Sequence, residues 1–291
     1  MSADRLSELL DLRVREPGRI AELMAARTQP TSLVGSTGRL LLVAADHPAR
    51  GALRAGADPM AMADRWELLR RLSIALARPG VDGVLGTADV LEDLLLMGAL
   101  DGKVVVGSMN RGGLAGTVFE IDDRFTGYTA EAIARQRLQG GKMLLRIDPD
   151  DAATARTLEA CSHAVDGLAA RGLMAMVEPF ISHRVDGRVR NDLTTEAVVR
   201  SATVAAGLGS TSAHTWLKLP VVDDMDDVLA ATTLPVLLLG GEVGADQDAQ
   251  LAQWSKALAS PQVKGMVVGR TLLYPPDGDV AGAVDATAEL I

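Results

Sequence analysis

The stretch KMLLRIDPDDAATARTLEACSHAVDGLAARGLMAMVE, residues 142–178, decides the fold. It opens on a short apolar run, Lys142–Ile147, passes through a polar turn, and enters a helical pattern over Ala152–Arg171. A second apolar run, Leu173–Glu178, follows. Two strands joined through a helix return in the same direction, so this unit predicts a parallel pair with a helical crossover.

The same alternation extends in both directions. Strands are expected before the unit at Leu40–Ala45, Gly83–Gly86 and Lys103–Gly107, and after it at Thr215–Leu219, Pro235–Leu239 and Val263–Val268. Helices are expected at Met60–Ala77, Ala88–Ala99, Ala130–Leu138, Thr194–Gly207, near Asp224–Ala230, at Asp246–Leu258 and at Val280–Leu290. Eight βα units predict a (β/α)8 TIM barrel. An open doubly wound parallel sheet is the competing arrangement. The expected organisation is an N-terminal helical extension over residues 1–36 and a catalytic barrel over residues 37–291. Residues 3–27 read as one or two helices that cover the barrel's N-terminal mouth. Two connections, Ser108–Thr129 and Ile181–Asp192, exceed the roughly 2–6 residues usual for βα loops.

Bulk composition narrows the function. The 291 residues are 48% hydrophobic but only 3% aromatic, so Leu, Val, Ala and Met must build the core. A net charge of −9 argues against nonspecific nucleic-acid or anionic-membrane binding, while leaving room for an anionic small substrate. Cys161 is the single cysteine, which excludes an intrachain disulfide and a cysteine-based zinc site. The N-terminal residues carry no apolar signal region and no run is long enough to span a bilayer, so a cytoplasmic homo-oligomer without membrane or nucleic-acid partners is expected.

Within this frame Lys218 stands out, because it sits inside the apolar run TWLKLPVV, residues 215–222. Lysine is rarely buried without a partner, and burial disfavours its charged form. A neutral amine attacks carbonyl groups to form a Schiff base. Residues at the C-terminal ends of barrel strands carry chemistry. Those ends bring Asp46 from the first strand, Lys142, Arg146 and Asp148 from the fourth, and Glu178 from the fifth. Gly240 and Gly241 end the seventh strand, and Gly269 and Arg270 the eighth. Alternation puts Lys142, Leu144, Arg146 and Asp148 on one face. Glycines after the last two strands suit backbone amides approaching a phosphate, and Arg270 adds a permanent charge.

Each of these residues also has a structural reading. Asp46 and Glu178 could be carboxylates paired with Arg146 or Lys142. Lys142 could open its strand at the barrel floor, and the glycines could be turn residues.

At these positions the chain resembles the class I, Schiff-base aldolase superfamily, in particular the fructose-bisphosphate and tagatose-bisphosphate aldolase group. The resemblance rests on VAADHPARGAL (43–53), KMLLRID (142–148), VEP (177–179), LKLPVV (217–222), LLLGGE (237–242) and VVGRTLL (267–273), in order and each at a predicted strand. It implies that Lys218 forms an imine with a ketose and that Glu178 and Lys142 move protons for carbinolamine dehydration. It further implies that Asp46 takes the hydroxyl proton on carbon–carbon cleavage and that Arg146 orients carboxylates. Gly240, Gly241, Gly269 and Arg270 would bind a substrate phosphate, with no cofactor and no metal. His47-Pro48-Ala49 departs from the tagatose-enzyme pattern. The segment GSMNRGGLAGTVFEIDDRFTGYT (107–129) resembles an actinobacterial subgroup associated with myo-inositol catabolism. That resemblance implies cleavage of 5-dehydro-2-deoxyphosphogluconate to dihydroxyacetone phosphate and malonate semialdehyde. Asn110, Arg111, Arg124 and Tyr128 in that segment could bind a second anionic group or lend a proton, but taken singly each reads as loop surface.

Two other classes stay open at this point. A metal-dependent barrel lyase would need ligands, yet His47, His163, His183 and His214 lack a paired-ligand spacing. A non-catalytic sugar-phosphate sensor or scaffold would have no need of the Lys218–Glu178–Asp46 set.

Overall fold

The computed structural model describes residues 3–244 and 246–291. Helices α1 (Ala3–Arg15) and α2 (Gly18–Ala26) precede the sheet. The strands are β1 (Leu40–Ala44), β2 (Gly83–Gly86), β3 (Val104–Ser108), β4 (Gly140–Ile147), β5 (Met174–Val185), β6 (Arg188–Asn191), β7 (Thr215–Leu219), β8 (Val236–Leu239) and β9 (Val263–Val268). The helices between and after them are α3 (Arg65–Leu76), α4 (Ala88–Leu96), α5 (Ala130–Arg135), α6 (Ala153–Ala169), α7 (Thr195–Ala206), α8 (Met225–Ala230), α9 (Gln247–Leu258), α10 (Arg270–Leu273) and α11 (Val280–Ala288).

The hydrogen-bonded order is β4-β3-β2-β1-β9-β8-β7-β5, and β4 also pairs with β5. The ladder therefore closes on itself, and every pair within it is parallel. An open doubly wound sheet would leave two unpaired edges, so the fold is a (β/α)8 barrel.

Side-chain alternation sorts the strands into two cores. Leu40, Leu42, Ala44, Val104, Val106, Met174, Met176, Leu237 and Val267 form one apolar cluster inside the barrel. Their neighbours Leu41, Val43, Val105, Ala175, Val177 and Val268 pack outward into the cluster shared with the helices. The period of two carries the inward face upward to Asp46, Ser108, Glu178 and Gly269. The lower levels of the barrel are thus apolar and the uppermost level carries polar and charged side chains.

Two local readings change. The helix expected from Met60 starts at Arg65, because Asp64 caps it by accepting from the Glu67 amide at 3.0 Å. The Ile181–Asp192 connection is a hairpin, not a loop. β5 runs on to Val185 and pairs antiparallel with β6, with Ser182 opposite Asn191. Its two-residue turn is Asp186-Gly187, both with positive φ (50° and 74°), the geometry that matches strand twist.

The N-terminal helices do not lie over the barrel mouth. α2 packs against α4, and Arg13 of α1 pairs with Asp93 at 2.7 Å and Glu92 at 3.2 Å on the same helix. Leu33 and Val34, in the segment that follows, pack on the interior cluster instead. Arg27 fastens this segment to the barrel's N-terminal rim. Its buried guanidinium donates to the carbonyls of Lys103 and Arg137, each at 2.9 Å. Removing it takes this donor from the Lys103 carbonyl, while the Arg137 carbonyl keeps Gln139 Nε2 at 3.1 Å, and an unpaired buried polar group costs about 1–3 kcal/mol. Arg27→Met is expected to lower the unfolding free energy by about 2 kcal/mol or more in a denaturant titration. A loss below about 0.5 kcal/mol, the usual range of surface substitutions, would show that water replaces these bonds at no cost.

Candidate active site

The upper end of the barrel opens into a cavity of about 520 Å³ lined by Asp46, His47, Lys142, Glu178, Lys218, Gly240, Gly241, Gly269 and Arg270, among others. At its base lies a buried chain of ion pairs. The Lys218 amine donates to Glu178 Oε1 at 2.5 Å, and the Lys142 amine contacts Glu178 Oε2. The Lys142 amine also donates to Asp46 Oδ2 at 3.2 Å. The Ser108 hydroxyl donates to that same oxygen at 3.0 Å, and the Arg111 guanidinium approaches it at 3.3 Å. Lys142 and Lys218 are 1% and 4% exposed, so water screens this chain weakly.

The structure therefore brings Asp46, Lys142, Glu178 and Lys218 into one contiguous set. Lys142 does not open its strand at the floor. β4 starts two residues earlier, and the register sets Lys142 beside Ser108 of β3 at the upper level.

Arg146 and Asp148 are placed differently. Arg146 touches neither Asp46 nor Glu178. It pairs with Glu120, donates to the Glu120 carbonyl at 2.9 Å and lies 4.0 Å from Asp123 Oδ2. The carboxylates it orients belong to the connection between β3 and α5. Asp148 leaves the array altogether and accepts from the Asp150 amide at 3.1 Å to shape the turn before α6.

The long connection corrects the surface reading of three of its four named residues. Asn110 and Arg111 are buried at 0% and 5% exposure, and Tyr128 is buried as well, so the surface reading holds only for Arg124. Asn110 clamps β4 by donating to Leu144 O at 2.6 Å and accepting from Leu144 N at 2.7 Å. Its buried neighbour Arg111 is thereby delivered to Asp46.

Electrostatics follow from burial and charge together. Burial raises the Asp46 carboxyl, but Arg111 and Lys142 outweigh it and hold it well below the usual carboxylate range. Burial raises the Glu178 carboxyl too, and the amines of Lys142 and Lys218 reverse this, leaving it lowered. Burial and then Arg111 lower the Lys142 ammonium, against the pull of Asp46 and Glu178. Burial presses the His47 imidazole down to about 3, with Asp46 opposing and Arg270 assisting.

The glycine-rich end lies across the cavity. Gly241 has φ of 74°, a left-handed conformation that glycine adopts without strain. A Cβ on Gly269 would stand 2.7 Å from Ala44 O and 2.9 Å from the His47 ring, so only glycine lets β9 close against β1. The Gly240 carbonyl accepts from Gln250 at 2.8 Å and Thr271 at 3.3 Å, which fixes the turn. Arg270 lines the cavity and has a buried Nε without a partner. Among the described residues no group of three or more His, Cys, Asp or Glu side chains is placed to hold a metal ion. Nor is any helix among them long and apolar enough to cross a membrane.

Residues 38–288 match the family model described as Cgl0159-like. The chain belongs to this family. It is similar over its whole length to the crystal structure of Cgl0159 from Corynebacterium glutamicum (Brevibacterium flavum), with 54% identity, a TM-score of 0.97 and 98% of that chain covered. Two more distant structures share the fold. An archaeal fructose 1,6-bisphosphate aldolase matches at 20% identity and a TM-score of 0.66, covering 94% of this chain and 98% of that one. A Schiff-base-forming fructose-1,6-bisphosphate aldolase matches at 19% identity and 0.63, covering 94% and 99%. The comparison with curated proteins yields no match.

The state of His47 yields a pH prediction. With its folded value near 3 against 6.5 for the free side chain, the unfolded chain binds the extra proton first as pH falls. His47 therefore contributes a stability loss that grows below pH about 6.5 and stops near its folded value. His47→Gln should remove that component, so the wild type should lose more unfolding free energy than the variant between neutral pH and about pH 4. Parallel pH profiles, or an imidazole signal for His47 that titrates between pH 5 and 8 by NMR, would contradict this assignment.

Proposed function

We propose that this barrel is a class I aldolase that cleaves, or forms, a phosphorylated keto compound through a Schiff base on Lys218. The observation that carries the reading is a buried amine in contact with a carboxylate that a second buried amine also holds, at the base of a cavity with a glycine-rich turn and an arginine across it. The description of one structural neighbour as a Schiff-base-forming aldolase, and of another as having its catalytic lysine covalently bound to the carbinolamine intermediate, supports the same assignment.

The chemistry follows from the geometry. Lys218 passes a proton to Glu178 and attacks the substrate carbonyl; a second proton moves from the new ammonium nitrogen to the alkoxide oxygen, giving the neutral carbinolamine. Glu178 returns that proton to the departing hydroxyl, which leaves as water, and the nitrogen becomes an iminium. Lys142, bridging Glu178 and Asp46, keeps both carboxylates charged and in place between these transfers. Asp46 then takes the proton of the substrate hydroxyl and the carbon–carbon bond breaks. The bonding electrons flow into the iminium to give an enamine, and the aldehyde leaves. Splitting one hard step this way is the benefit of covalent catalysis. Gly240, Gly241, Gly269 and Arg270 hold the phosphate, whose remote binding fixes the carbon skeleton over Lys218. The substrate suggested by the 107–129 segment is 5-dehydro-2-deoxyphosphogluconate, with dihydroxyacetone phosphate and malonate semialdehyde as products.

Borohydride with substrate should trap a covalent adduct on Lys218, located by peptide mass mapping. An adduct on Lys142 would reverse the roles of the two amines. Lys218→Met should abolish turnover with the fold retained. In single-turnover trapping, Asp46→Asn should accumulate imine but cleave slowly, whereas Glu178→Gln should trap slowly, since a group used in one step affects that step alone. Equal trapping in both would dismiss this division of labour.

Arg270→Ala should raise KM for the phosphorylated substrate by about tenfold or more, the scale of one charge-assisted contact, and leave the dephosphorylated analogue unchanged. Equal effects on both would move the phosphate elsewhere.

A further inference from the structure

Opposite the glycine-rich end, three guanidinium groups meet beside the cavity: Arg50, Arg111 and Arg146, all of which line it. The carboxylates facing them are Glu120 and Asp123. Arg146 takes Glu120 directly, and Asp123 accepts from the Gly113 amide at 2.9 Å while lying 4.0 Å from Arg146. Arg50 stands 3.6 Å from Glu120 Oε1, beyond hydrogen-bond distance. Asp46, which Arg111 touches, is shared with Lys142 and Ser108. Three buried nitrogens of these guanidiniums are left without partners, Nη1 of Arg50, Nη2 of Arg111 and Nε of Arg146, and so is Oδ2 of Asp123. The Arg111 side chain is only 5% exposed. Buried N–H groups are normally satisfied, and charged ones cost most when they are not. Burial and the neighbouring Arg146 and Arg111 press the Arg50 guanidinium down to about 10, a sign of crowded positive charge.

We propose that Arg50 and Arg111 form a second anion subsite that takes a terminal carboxylate of the substrate. It rests on the reading of the cavity as a sugar-phosphate site and adds the chemistry of the other end. The strand order sets the two ends apart. The turns after β8 and β9 carry the glycines, the connection after β3 carries Arg111 and β4 carries Arg146, while Arg50 follows β1 and joins them through Glu120. Around the closed ladder β3 and β4 are diametrically opposed to β8 and β9. A chain spanning them passes over Lys218 and Asp46.

A carboxylate fits better than a second phosphate. The amides of Gly112 and Gly113 are consumed by Arg124 O and Asp123 Oδ1, so no backbone cradle is open at this end. Arg50 and Arg111 each offer one unpartnered nitrogen for the two oxygens, and the three guanidiniums exceed the two facing carboxylates, Glu120 and Asp123, by one positive charge.

The test uses ligands that have no carbonyl, so that binding is read independently of imine formation. 6-Phosphogluconate and sorbitol 6-phosphate share a carbon chain and a phosphate and differ in the far end, carboxylate against hydroxymethyl. Calorimetric titration of the wild type should show 6-phosphogluconate binding tighter by about tenfold or more. Arg50→Gln should bring the ratio close to one while leaving sorbitol 6-phosphate affinity unchanged. Arg111→Gln should do the same where it folds. Arg270→Gln should weaken both ligands alike and keep their ratio. Equal wild-type affinities, no measurable binding of 6-phosphogluconate, or a ratio unchanged in Arg50→Gln would overturn the subsite. Tighter binding of sorbitol 1,6-bisphosphate than of 6-phosphogluconate, lost in Arg50→Gln, would overturn the carboxylate assignment in favour of phosphate. Failure of the aldolase reading is seen separately, as absence of borohydride trapping while the ligand ratio persists.

Discussion

The Glu178 carboxylate, held between the amines of Lys142 and Lys218, is the interaction on which the upper barrel depends. Three ionisable groups sit where water barely reaches, and each would be costly there alone. Together they satisfy one another, and the carboxylate stays ionised because two cations outweigh its burial. The closed ladder makes the arrangement possible. β4, β5 and β7 are successive neighbours around the barrel, so the inward side chains of one level meet at its centre. Below them the same parity supplies Met174, Met176 and Leu237, an apolar floor that directs the charged tips upward. A hydrophobic isostere of this triad could pack as well, so its retention is more readily understood through chemistry than through stability.

The connection between β3 and α5 is the second structural commitment. It is held from the barrel side by Asn110 on β4 and by Arg146 reaching into Glu120 and Asp123, and from outside by Arg184, which donates to Val118 O at 2.7 Å. The order of this segment and the ionisation of Asp46 are linked, since Arg111 is both a loop residue and the first cation against that carboxylate. Loosening the loop would withdraw a charge from Asp46 as well as expose the cavity.

The barrel and the central site were legible because two periodicities coincide. Strands Thr215–Leu219 and Val263–Val268 fall where the apolar runs place them, and lysine inside such a run has few explanations other than a paired interior position. Strand ends then named Asp46 and Glu178 without any tertiary information. What escaped was set by pairing rather than by pattern. The β5–β6 hairpin was announced by Asp186-Gly187, a turn dipeptide whose signal went unread because the flanking His183, Arg184, Arg188 and Arg190 hide the strand pattern. Arg111 and Ser108 acquire meaning only through Asp46, more than sixty residues away in sequence, and a polar glycine-rich loop looks like surface until its partners are known. Arg146 shares its strand face with Lys142, but a long guanidinium reaches past its own level, so parity alone could not tell which carboxylates it meets.

The two buried lysines differ in how they are held, and the proposed carbonyl chemistry turns on that difference. Lys142 is pinned from both sides, by Asp46 at 3.2 Å and by Glu178, with Arg111 close enough to lower its pKa. An amine bridging two carboxylates would have to break both contacts to approach a substrate. Lys218 holds one carboxylate oxygen, at 2.5 Å, and lies on β7, which pairs with β8. It can transfer its proton along its one bond and turn toward the cavity without disturbing Asp46. The bond links Lys218 to Glu178 alone. Lys142 is then the more fixed amine, a charge that holds Glu178 and Asp46 together, and Lys218 is the less encumbered one, as the proposed Schiff base requires.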